Sequence, residues 1–368
     1  MGNAKINAGE LFAMIVLFEL GSALLVGLGM DAKNDAWLSI LIGWAGGMAL
    51  FFVYAQLFRY YPHLPLTGYL RVIMGSYAGW LIGLIYVLYF IYIAARVLRD
   101  FGELLTISTY DQTPLFVINA LMILTISYVI YKGIEVFART GEMLFGLLIV
   151  VGVLGNIAIF VSGLIHFDQL APLLKEGWKP VFKTAFPLTF TFPFGEMITF
   201  TMILPFVNNP RLGVKFSYAG MTISALILSW TSVVNISILG VDIASRSTFP
   251  LLAMIGKVNI AEFLQRLDVL AILTLIIGGF FKIAVFFITA VQGAADLFKV
   301  KDPSNLVVPI GIIILFTSIQ IASGLTEHLE EGLKVVPLYV HLPLQAGIPV
   351  LLLAVTWLKN RKRRADST

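Results

Sequence analysis

The chain has 368 residues, of which 59% are hydrophobic and only 12% charged, and its mean hydropathy is +0.92. A soluble domain carries roughly 25% charged residues, so this composition excludes a soluble globular fold and indicates an integral membrane protein. Cysteine is absent, which excludes disulfides and thiolate metal sites. The apolar stretches are continuous rather than alternating, and they therefore predict membrane-spanning helices.

Ten apolar stretches are predicted to cross the membrane, each close to the 20 or so helical residues that a hydrocarbon core requires. They cover residues 9–29, 36–58, 77–99, 113–131, 141–165, 186–206, 215–239, 264–292, 305–324 and 338–358. Most lysines and arginines fall in loops on the side of the N-terminus, so the positive-inside rule predicts that both termini are cytoplasmic. The basic tail KNRKRRADST is expected to contact anionic membrane lipid, and no nucleic-acid partner is predicted.

The first predicted span contains an interruption at Gly21-Ser22, close to an intramembrane acid, Glu19. Glycine weakens a helix and tolerates non-helical geometry at little steric cost. Close helix packing explains Gly27 and Gly29 equally well, because small residues are common at membrane helix interfaces. For Gly21-Ser22, the neighbouring acid favours a functional break.

The sixth predicted span, 186–206, reads FPLTFTFPFGEMITFTMILPF and is not expected to form one regular helix. Pro193 lacks a backbone donor and clashes with the preceding turn, while Gly195 permits other geometry. Glu196 then puts a carboxylate near the middle of the membrane. Broken backbone at that depth is tolerated only where protein covers it or where it lines a wet cavity. We therefore predict a binding site at the break, residues 191–195.

The two interruptions lie about half the chain apart. Matching interruptions in two halves of a chain indicate an inverted-repeat transporter architecture, with the site between the repeats. Five spans per half fit this pattern, because an odd number inverts the second half. We therefore predict a single ten-helix membrane domain over residues 1–368, with one repeat at about 9–165 and the other at about 186–358.

The eighth predicted span carries Lys282 deep in the hydrocarbon, after Gly278-Gly279. A charge at that depth costs about 3 kcal/mol on insertion scales and usually has a partner. Glu19 and Glu196 are the only acids at comparable depth, so we predict a charge network of these three residues. The pair could serve only to hold helices together, but buried ion pairs are weak stability devices. Two acids for one lysine also leave a carboxylate that can respond to pH or to a ligand.

Polar residues along the third predicted span allow more than one interpretation. Tyrosines at three-residue steps lie on one stripe of the helix, which is more typical of packing or interfacial anchoring, although one tyrosine is available to cover a ligand. Arg96 and Arg99 are expected to snorkel or to pair with Asp100 and Glu103. No metal site is predicted, because the four histidines fall in or beside predicted loops and far apart in sequence. The tyrosines are Tyr86, Tyr89 and Tyr92, and the histidines are His63, His166, His328 and His341.

These features together resemble the B subunits of bacterial spore germinant receptors (GerAB-like). The resemblance rests on ten spans in 368 residues, on FELGSALLVGLG in the opening helix and on FPFGE in the sixth span. Such subunits belong to the amino acid–polyamine–organocation superfamily, which shares the LeuT-like fold with broken helices 1 and 6. Gly21-Ser22-Ala23-Leu24-Leu25 is similar to that superfamily's Gly-Ser-Gly-Ile-Phe pattern. Ala23 replaces its second glycine, which leaves fewer flexible points in the first break.

The resemblance implies an all-α protein of the bacterial cell or spore inner membrane that works with an A subunit, a membrane protein with a soluble domain, and a C subunit, a lipoprotein. It implies that the chain senses a small nutrient, often an amino acid, without covalent chemistry and without a cofactor. Sodium-coupled members of the superfamily hold an ion between spans one and eight. Lys282 occupies span eight here, so its ammonium could take the place of the ion, and we expect a sodium-independent protein.

The resemblance also implies a ligand between the two breaks. Backbone N–H groups after the first break would receive a carboxylate, since unwound helix ends suit anions, and the sixth-span break would meet an ammonium. The predicted ligand-binding residues are Gly21, Ser22, Ala23, Leu24, Tyr89, Thr191, Phe192, Pro193, Phe194, Gly195, Phe286 and Thr289, and the predicted charge network is Glu19, Glu196 and Lys282.

Three functions remain open at this point, because one fold hosts several functions. The first is a nutrient-sensing receptor subunit that signals to partners. The second is a proton-coupled secondary transporter of an amino acid or polyamine, with the proton on Glu19 or Glu196. The third is a pure scaffold for the A subunit. No catalytic triad, phosphate loop or metal-ligand set is present in the sequence, so an enzyme is not predicted.

Overall fold

Helices account for the regular structure of the computed structural model, which describes residues 5–258 and 268–365. The α-helices in chain order are α1 (Ala8–Leu25), α2 (Ala36–Tyr60), α3 (Leu66–Met74), α4 (Ser76–Ser108), α5 (Leu115–Tyr131), α6 (Ile134–Val161), α7 (Trp178–Thr184), α8 (Pro210–Leu239), α9 (Val241–Arg246), α10 (Pro250–Ile255), α11 (Asp268–Phe298), α12 (Val307–Gln320), α13 (Leu325–Glu330) and α14 (Ile348–Ala365). The predicted start of the eighth span, at residue 264, lies outside the described residues.

Eight helices within the described ranges are long and apolar enough to cross a membrane when the adjoining 3-10 and π-helical turns are counted with them. They correspond to the predicted spans other than the fourth and the sixth. The fourth corresponds to α5, which is apolar but has only 17 residues, and the sixth is interrupted. Helix length alone therefore supports eight complete crossings, while all ten predicted stretches have a counterpart in the structure.

The largest difference between a predicted and an observed helix end is found at the end of α4. The sequence predicts a span of 77–99, whereas α4 continues to Ser108. The prediction ends the span where charged residues begin, but these residues make contacts inside the protein and the helix continues through them. Arg99, which is buried, donates to Glu103 at 2.8 Å one turn further on. Such an i,i+4 pair supports the helix through this region.

α1 lies at the centre of the molecule. It packs against α6, α8 and α11, and α11 in turn packs against α4. Nearly every residue of α1 is buried, which is typical of a helix that is apolar on all sides and surrounded by protein. By contrast α6 exposes many large apolar side chains, as expected of a helix that faces lipid. The core of the fold therefore encloses both the first predicted break and Lys282 on α11.

The sixth predicted span is irregular over a longer stretch than the sequence indicates. Pro187, Pro193 and Pro205 each lack the N–H that an i→i−4 ladder requires. The longest segment of the stretch is fully covered, since every residue there is buried, as broken backbone at this depth demands. After α7 it passes through a π-helical turn and two 3-10 segments, Ala185–Thr189, Phe194–Met202 and Leu204–Phe206.

Candidate functional site

The break in the first span is a kink at one residue. Gly21 has φ −28° and ψ −105° inside α1. A Cβ atom there would lie 2.9 Å from the backbone oxygen of Gly278 and 3.0 Å from Cβ of Lys282. Because real Cβ atoms do not approach backbone so closely, glycine is what allows α1 to cross α11 at this point. The kink therefore puts the first break directly against the helix that carries the buried lysine.

The buried lysine pairs with the acid of the other break. Nζ of Lys282 lies 2.5 Å from Oε2 of Glu196, and both side chains are buried. Neither atom makes a hydrogen bond of standard geometry, so the contact is a close ion pair. The ammonium also lies 4.4 Å from the ring centre of Phe192 and 5.1 Å from that of Phe18. These distances suit cation–π attraction, so one carboxylate and two rings stabilise the charge.

Glu19 does not share in this pair. It is fully buried, and neither carboxyl oxygen has a hydrogen-bond partner in the described part of the chain. Of the pairings that the sequence leaves open, the structure contains Lys282 with Glu196 and not Lys282 with Glu19. An ionised carboxylate without a partner is costly in a low-dielectric interior. Glu19 is thus the one member of the predicted network without a counter-charge in the described residues.

A small cavity adjoins the ion pair. Its volume is about 50 Å³, enough for a few water molecules when about 10–15 Å³ of such volume holds one. Ser22 Oγ is buried at its edge without a hydrogen-bond partner. The cavity connects both breaks with α4 and with the segment after α12. Its lining residues are Ser22, Val26, Ile93, Arg96, Val97, Asp100, Phe192, Glu196, His328, Leu329, Gly332, Leu333, Val336 and His341.

The predicted ligand-binding residues are only partly gathered at this cavity. Ser22 and Phe192 line it. The hydroxyl groups of Thr191 and Thr289 donate to backbone carbonyls of their own segments, and Phe286 packs against Phe18. Ten predicted residues are buried nearby without lining the cavity, and their roles stay predictions. They are Gly21, Ala23, Leu24, Tyr89, Thr191, Pro193, Phe194, Gly195, Phe286 and Thr289.

A buried polar network beside the cavity is not predicted from the sequence. The hydroxyl of Tyr89 lies 2.8 Å from Nδ1 of His341 and accepts from Nε2 of Gln345 at 2.8 Å. Tyr54 donates to the carbonyl oxygens of Gln345 and Gly195, at 2.6 and 3.2 Å. His341, which the sequence places near the start of the tenth predicted span, is buried inside a π-helical stretch. Its four-residue spacing from Gln345 is the signal that could have been used.

Charged residues line one end of the cavity. Oδ1 of Asp100 lies 2.8 Å from Nε2 of His328. Arg96 donates to the backbone oxygen of His328 and lies 3.4 Å from Oε2 of Glu331. The expectation that Arg96 snorkels or pairs with Asp100 or Glu103 is therefore wrong, since its acidic contact is Glu331 after α12. Arg99 pairs with Glu103 as predicted. His328 and His341, far from the other histidines in sequence, line the same cavity.

Comparison with known proteins gives clear relatives. A family model described as "Spore germination protein" matches residues 5–324. The chain is 45% identical over 366 residues to spore germination protein KB of Bacillus subtilis (strain 168), covering 99% of this chain and 98% of that protein. It is 24% identical to spore germination protein YndE of the same organism, over 89% of this chain and 88% of the relative.

Two solved structures resemble the chain in fold. Mhp1, a nucleobase-cation-symport-1 family transporter in a closed conformation with bromovinylhydantoin, has a TM-score of 0.74 at 13% identity, covering 98% of this chain and 80% of that one. MhsT in complex with L-phenylalanine has a TM-score of 0.71 at 14% identity, covering 93% and 88%. At such identities the likeness concerns the fold alone, and it confirms the predicted LeuT-like architecture.

Proposed function

Because the chain belongs to the spore germination protein family, we propose that it is the nutrient-sensing B subunit of a germinant receptor. The predicted resemblance to GerAB-like subunits is confirmed by this membership. The chain is a multi-pass membrane protein, and it is either a receptor subunit or a transporter-like protein. The sensing role, the nutrient and the signalling step are our proposal.

One observation carries the proposal. The two helix breaks meet at a small cavity whose wall holds two groups, the hydroxyl of Ser22, which has no partner in the described part of the chain, and the carboxylate of Glu196, whose charge is balanced by Lys282. A site of this kind offers a polar solute a hydroxyl donor from one break and a carboxylate oxygen, as a hydrogen-bond acceptor, from the other. An amino acid, with its carboxylate and ammonium, fits that pair of groups. Arg96 and Asp100 do not compete for it, because they are already engaged at one end of the cavity.

The small volume of the cavity supports a signalling role. A cavity of about 50 Å³ cannot take an amino acid until its walls move apart. A ligand shifts an equilibrium only by its difference in affinity for the two states. Because the nutrient would bind the widened state and not this narrow one, binding would favour a changed conformation. We propose that partner subunits read this change.

The wider assembly follows from the family. We propose that the chain acts with A and C subunits in the spore inner membrane, with both termini cytoplasmic, as the distribution of lysine and arginine favours. We also propose that its single membrane domain consists of two inverted repeats, at about 9–165 and 186–358. Membrane lipid is the remaining partner, at the basic C-terminal end.

Germination of spores tests the sensing role. Spores that depend on this receptor would be exposed to amino acids, sugars and nucleosides. The chain in these spores would carry either Ser22→Leu or the control substitution Gly146→Ala. Gly146 is a suitable control because there is open space around it. We expect the first variant to abolish the response to one nutrient class and the second to keep it. An unchanged response with Ser22→Leu, at normal levels of the chain, would support the scaffold role instead.

A proton-coupled transporter is the second candidate. Glu19 is buried without a partner in the described part of the chain, and the fold is that of known transporters. Uptake of a labelled amino acid into proteoliposomes that contain this chain alone, with and without a pH gradient, separates the candidates. Gradient-driven uptake that Glu19→Gln abolishes would replace the receptor proposal, whereas binding without uptake supports it.

A further inference from the structure

A second pocket lies between α6, α8 and α11, with α10 and α1 completing its wall. We call it the lateral pocket. Its volume is about 120 Å³, and it is distinct from the cavity beside the ion pair. Its lining residues fall within 148–159 of α6, 227–234 of α8, 251–255 of α10 and 270–274 of α11, together with Leu20 and Leu24 of α1.

The lateral pocket opens towards lipid beside α6. Leu154 and Ile157 on α6 and Leu226 on α8 are each more than half exposed, as expected of side chains that contact hydrocarbon in a membrane protein. Gly152 and Gly155 line the pocket and are themselves only partly covered. A Cβ atom on either glycine would meet nothing within 4 Å. The absence of two side chains therefore leaves the pocket accessible from the bilayer.

The polar side chains in the wall of the lateral pocket already have hydrogen-bond partners. Asn156 accepts from Nε1 of Trp230 at 2.7 Å and donates to the backbone oxygen of Gly152 at 2.8 Å. The hydroxyl groups of Thr231 and Thr274 donate to backbone oxygens of their own helices, at 2.8 and 2.9 Å. A polar ligand would have to compete with these bonds, whereas an apolar one would not. The wall therefore suits hydrocarbon.

The occupant of the lateral pocket must be narrow as well as apolar. An apolar cavity of about 150 Å³ stays free of water and binds a molecule such as benzene, so a pocket of about 120 Å³ suits a few methylene groups. A helix of a partner protein is too broad to enter, since it measures about 10–12 Å across with its side chains. An unfilled void would deprive the side chains around it of dispersion contacts. A lipid acyl chain has the required width and is the hydrocarbon that surrounds the mouth.

A cation follows directly after the α10 part of the wall. Met254 and Ile255 line the lateral pocket, and the backbone N–H of Lys257 donates to the oxygen of Met254 at 3.1 Å. The side chain of Lys257 is exposed, and in the proposed orientation it lies on the outer side. Basic side chains next to a membrane attract anionic headgroups. An apolar pocket with a cation at its rim complements an anionic phospholipid better than a neutral one.

We propose that the lateral pocket binds one acyl chain of an anionic phospholipid and that Lys257 contacts the headgroup. Leu20 and Leu24 form the wall on the α1 side and lie on either side of the kink at Gly21. The bound acyl chain thus packs against the first break, and the lipid supports the helix that forms the candidate site. The proposal holds for a receptor subunit and for a transporter alike, because it does not depend on the nutrient.

Retention of lipid tests the lateral pocket. The purified chain in detergent would be loaded with phosphatidylglycerol or phosphatidylcholine and washed, and the lipid that remains on each chain would be measured by mass spectrometry. Gly155→Leu and Gly152→Leu each place a side chain in the pocket. We expect both to lower the retained phosphatidylglycerol by about tenfold or more, because the new side chain takes the space of the acyl chain. Gly146→Leu is the matched control, since it adds the same side chain to the same helix, in open space outside the pocket.

Lys257→Gln tests the headgroup contact separately. It should reduce the preference for phosphatidylglycerol over phosphatidylcholine by about fivefold, the factor that one basic residue near an anionic surface provides. Because Lys257 is exposed, this variant keeps the test valid if a leucine in the pocket prevents folding.

Two results would overturn the lipid proposal. One is equal retention of phosphatidylglycerol by Gly155→Leu, Gly152→Leu and the control Gly146→Leu. The other is a headgroup preference that Lys257→Gln leaves unchanged. Thermal unfolding without added lipid shows that a loss of retention is not a loss of fold, since a side chain that fills a void should leave the unfolding temperature equal or higher.

Discussion

At the scale of single residues, the buried ion pair dominates the candidate site. Lys282 is placed among apolar neighbours with Glu196 as its only anionic contact in the described residues. Removing one partner of a buried pair leaves an uncompensated charge, whereas removing both leaves an apolar core. The two kinds of change should therefore differ sharply in effect.

We expect Glu196→Gln to destabilise the chain by roughly 3–5 kcal/mol, because Lys282 then lacks a counter-charge. Replacing both residues with methionine should bring stability back to within about 1 kcal/mol of the original chain. Thermal unfolding of the purified chain in detergent measures both variants. Equal losses of stability in the single and double variants would contradict this account.

Glu19 should behave in the opposite way. Its carboxyl oxygens have no partner to lose in the described part of the chain, so the neutral isostere Glu19→Gln breaks no ion pair and should destabilise the chain by less than Glu196→Gln does. The same unfolding measurement gives the answer, with Glu196→Gln as the comparison. A loss as large as that of Glu196→Gln would mean that Glu19 balances a charge after all.

The pairing of Lys282 illustrates what can be predicted at this scale. Ionisable side chains are rare in membrane spans and need partners, so Lys282 and its two possible partners, Glu19 and Glu196, can be identified from the sequence. The choice between Glu19 and Glu196 is not, because it depends on how each helix is rotated about its axis. The kink at Gly21 and the irregular sixth span set that rotation.

At the scale of elements, the crossing of α1 and α11 is the critical contact. Gly21 lies so close to the backbone of Gly278 that no side chain can be accommodated there without movement of one helix. Backbone cannot rotate aside as a flexible side chain can. The contact therefore constrains both the first break and the position of Lys282.

We expect Gly21→Ala to destabilise the chain by about 1–3 kcal/mol, the usual cost of overpacking. Gly146→Ala on α6 is the matched control, because a Cβ atom there meets nothing within 4 Å, and it should be neutral or slightly stabilising. Thermal unfolding of both variants tests the prediction. If the two substitutions have the same effect, the helix crossing is not as close as the structure indicates.

Element boundaries are predicted unevenly. The breaks are identified by Pro193, Gly195 and Gly21, since proline and glycine act on the local backbone. The continuation of α4 to Ser108 is not, because Arg96 and Arg99 are held there by the backbone oxygens of His328 and Ile319 in distant segments. The short helix α3, which precedes α4, is not predicted from the sequence either.

At the scale of the whole molecule, the central position of Lys282 bears on ion dependence. Its ammonium lies where α1, α11 and the sixth span meet, in contact with Phe18, Phe192 and Glu196. A second cation bound at this point would be repelled, because like charges at close range in a low-dielectric interior interact strongly.

Sodium should therefore have no effect on ligand binding. We expect the thermal shift produced by the nutrient to be the same when sodium is replaced by potassium or choline at constant ionic strength. Constant ionic strength is the necessary control, since surface charges respond to salt in general. A shift that requires sodium would contradict the role given to Lys282.

The amino-acid sequence by itself determines the class of the protein, the number of apolar stretches and the location of both breaks. These follow from local properties, namely hydrophobicity, backbone freedom and the cost of a charge in lipid. Only the tertiary structure decides which acid pairs with Lys282, that His341 and Gln345 join Tyr89, and that Asp100 and Arg96 hold a segment more than 200 positions away. These contacts depend on helix rotation and on the packing of distant segments, which no local pattern encodes.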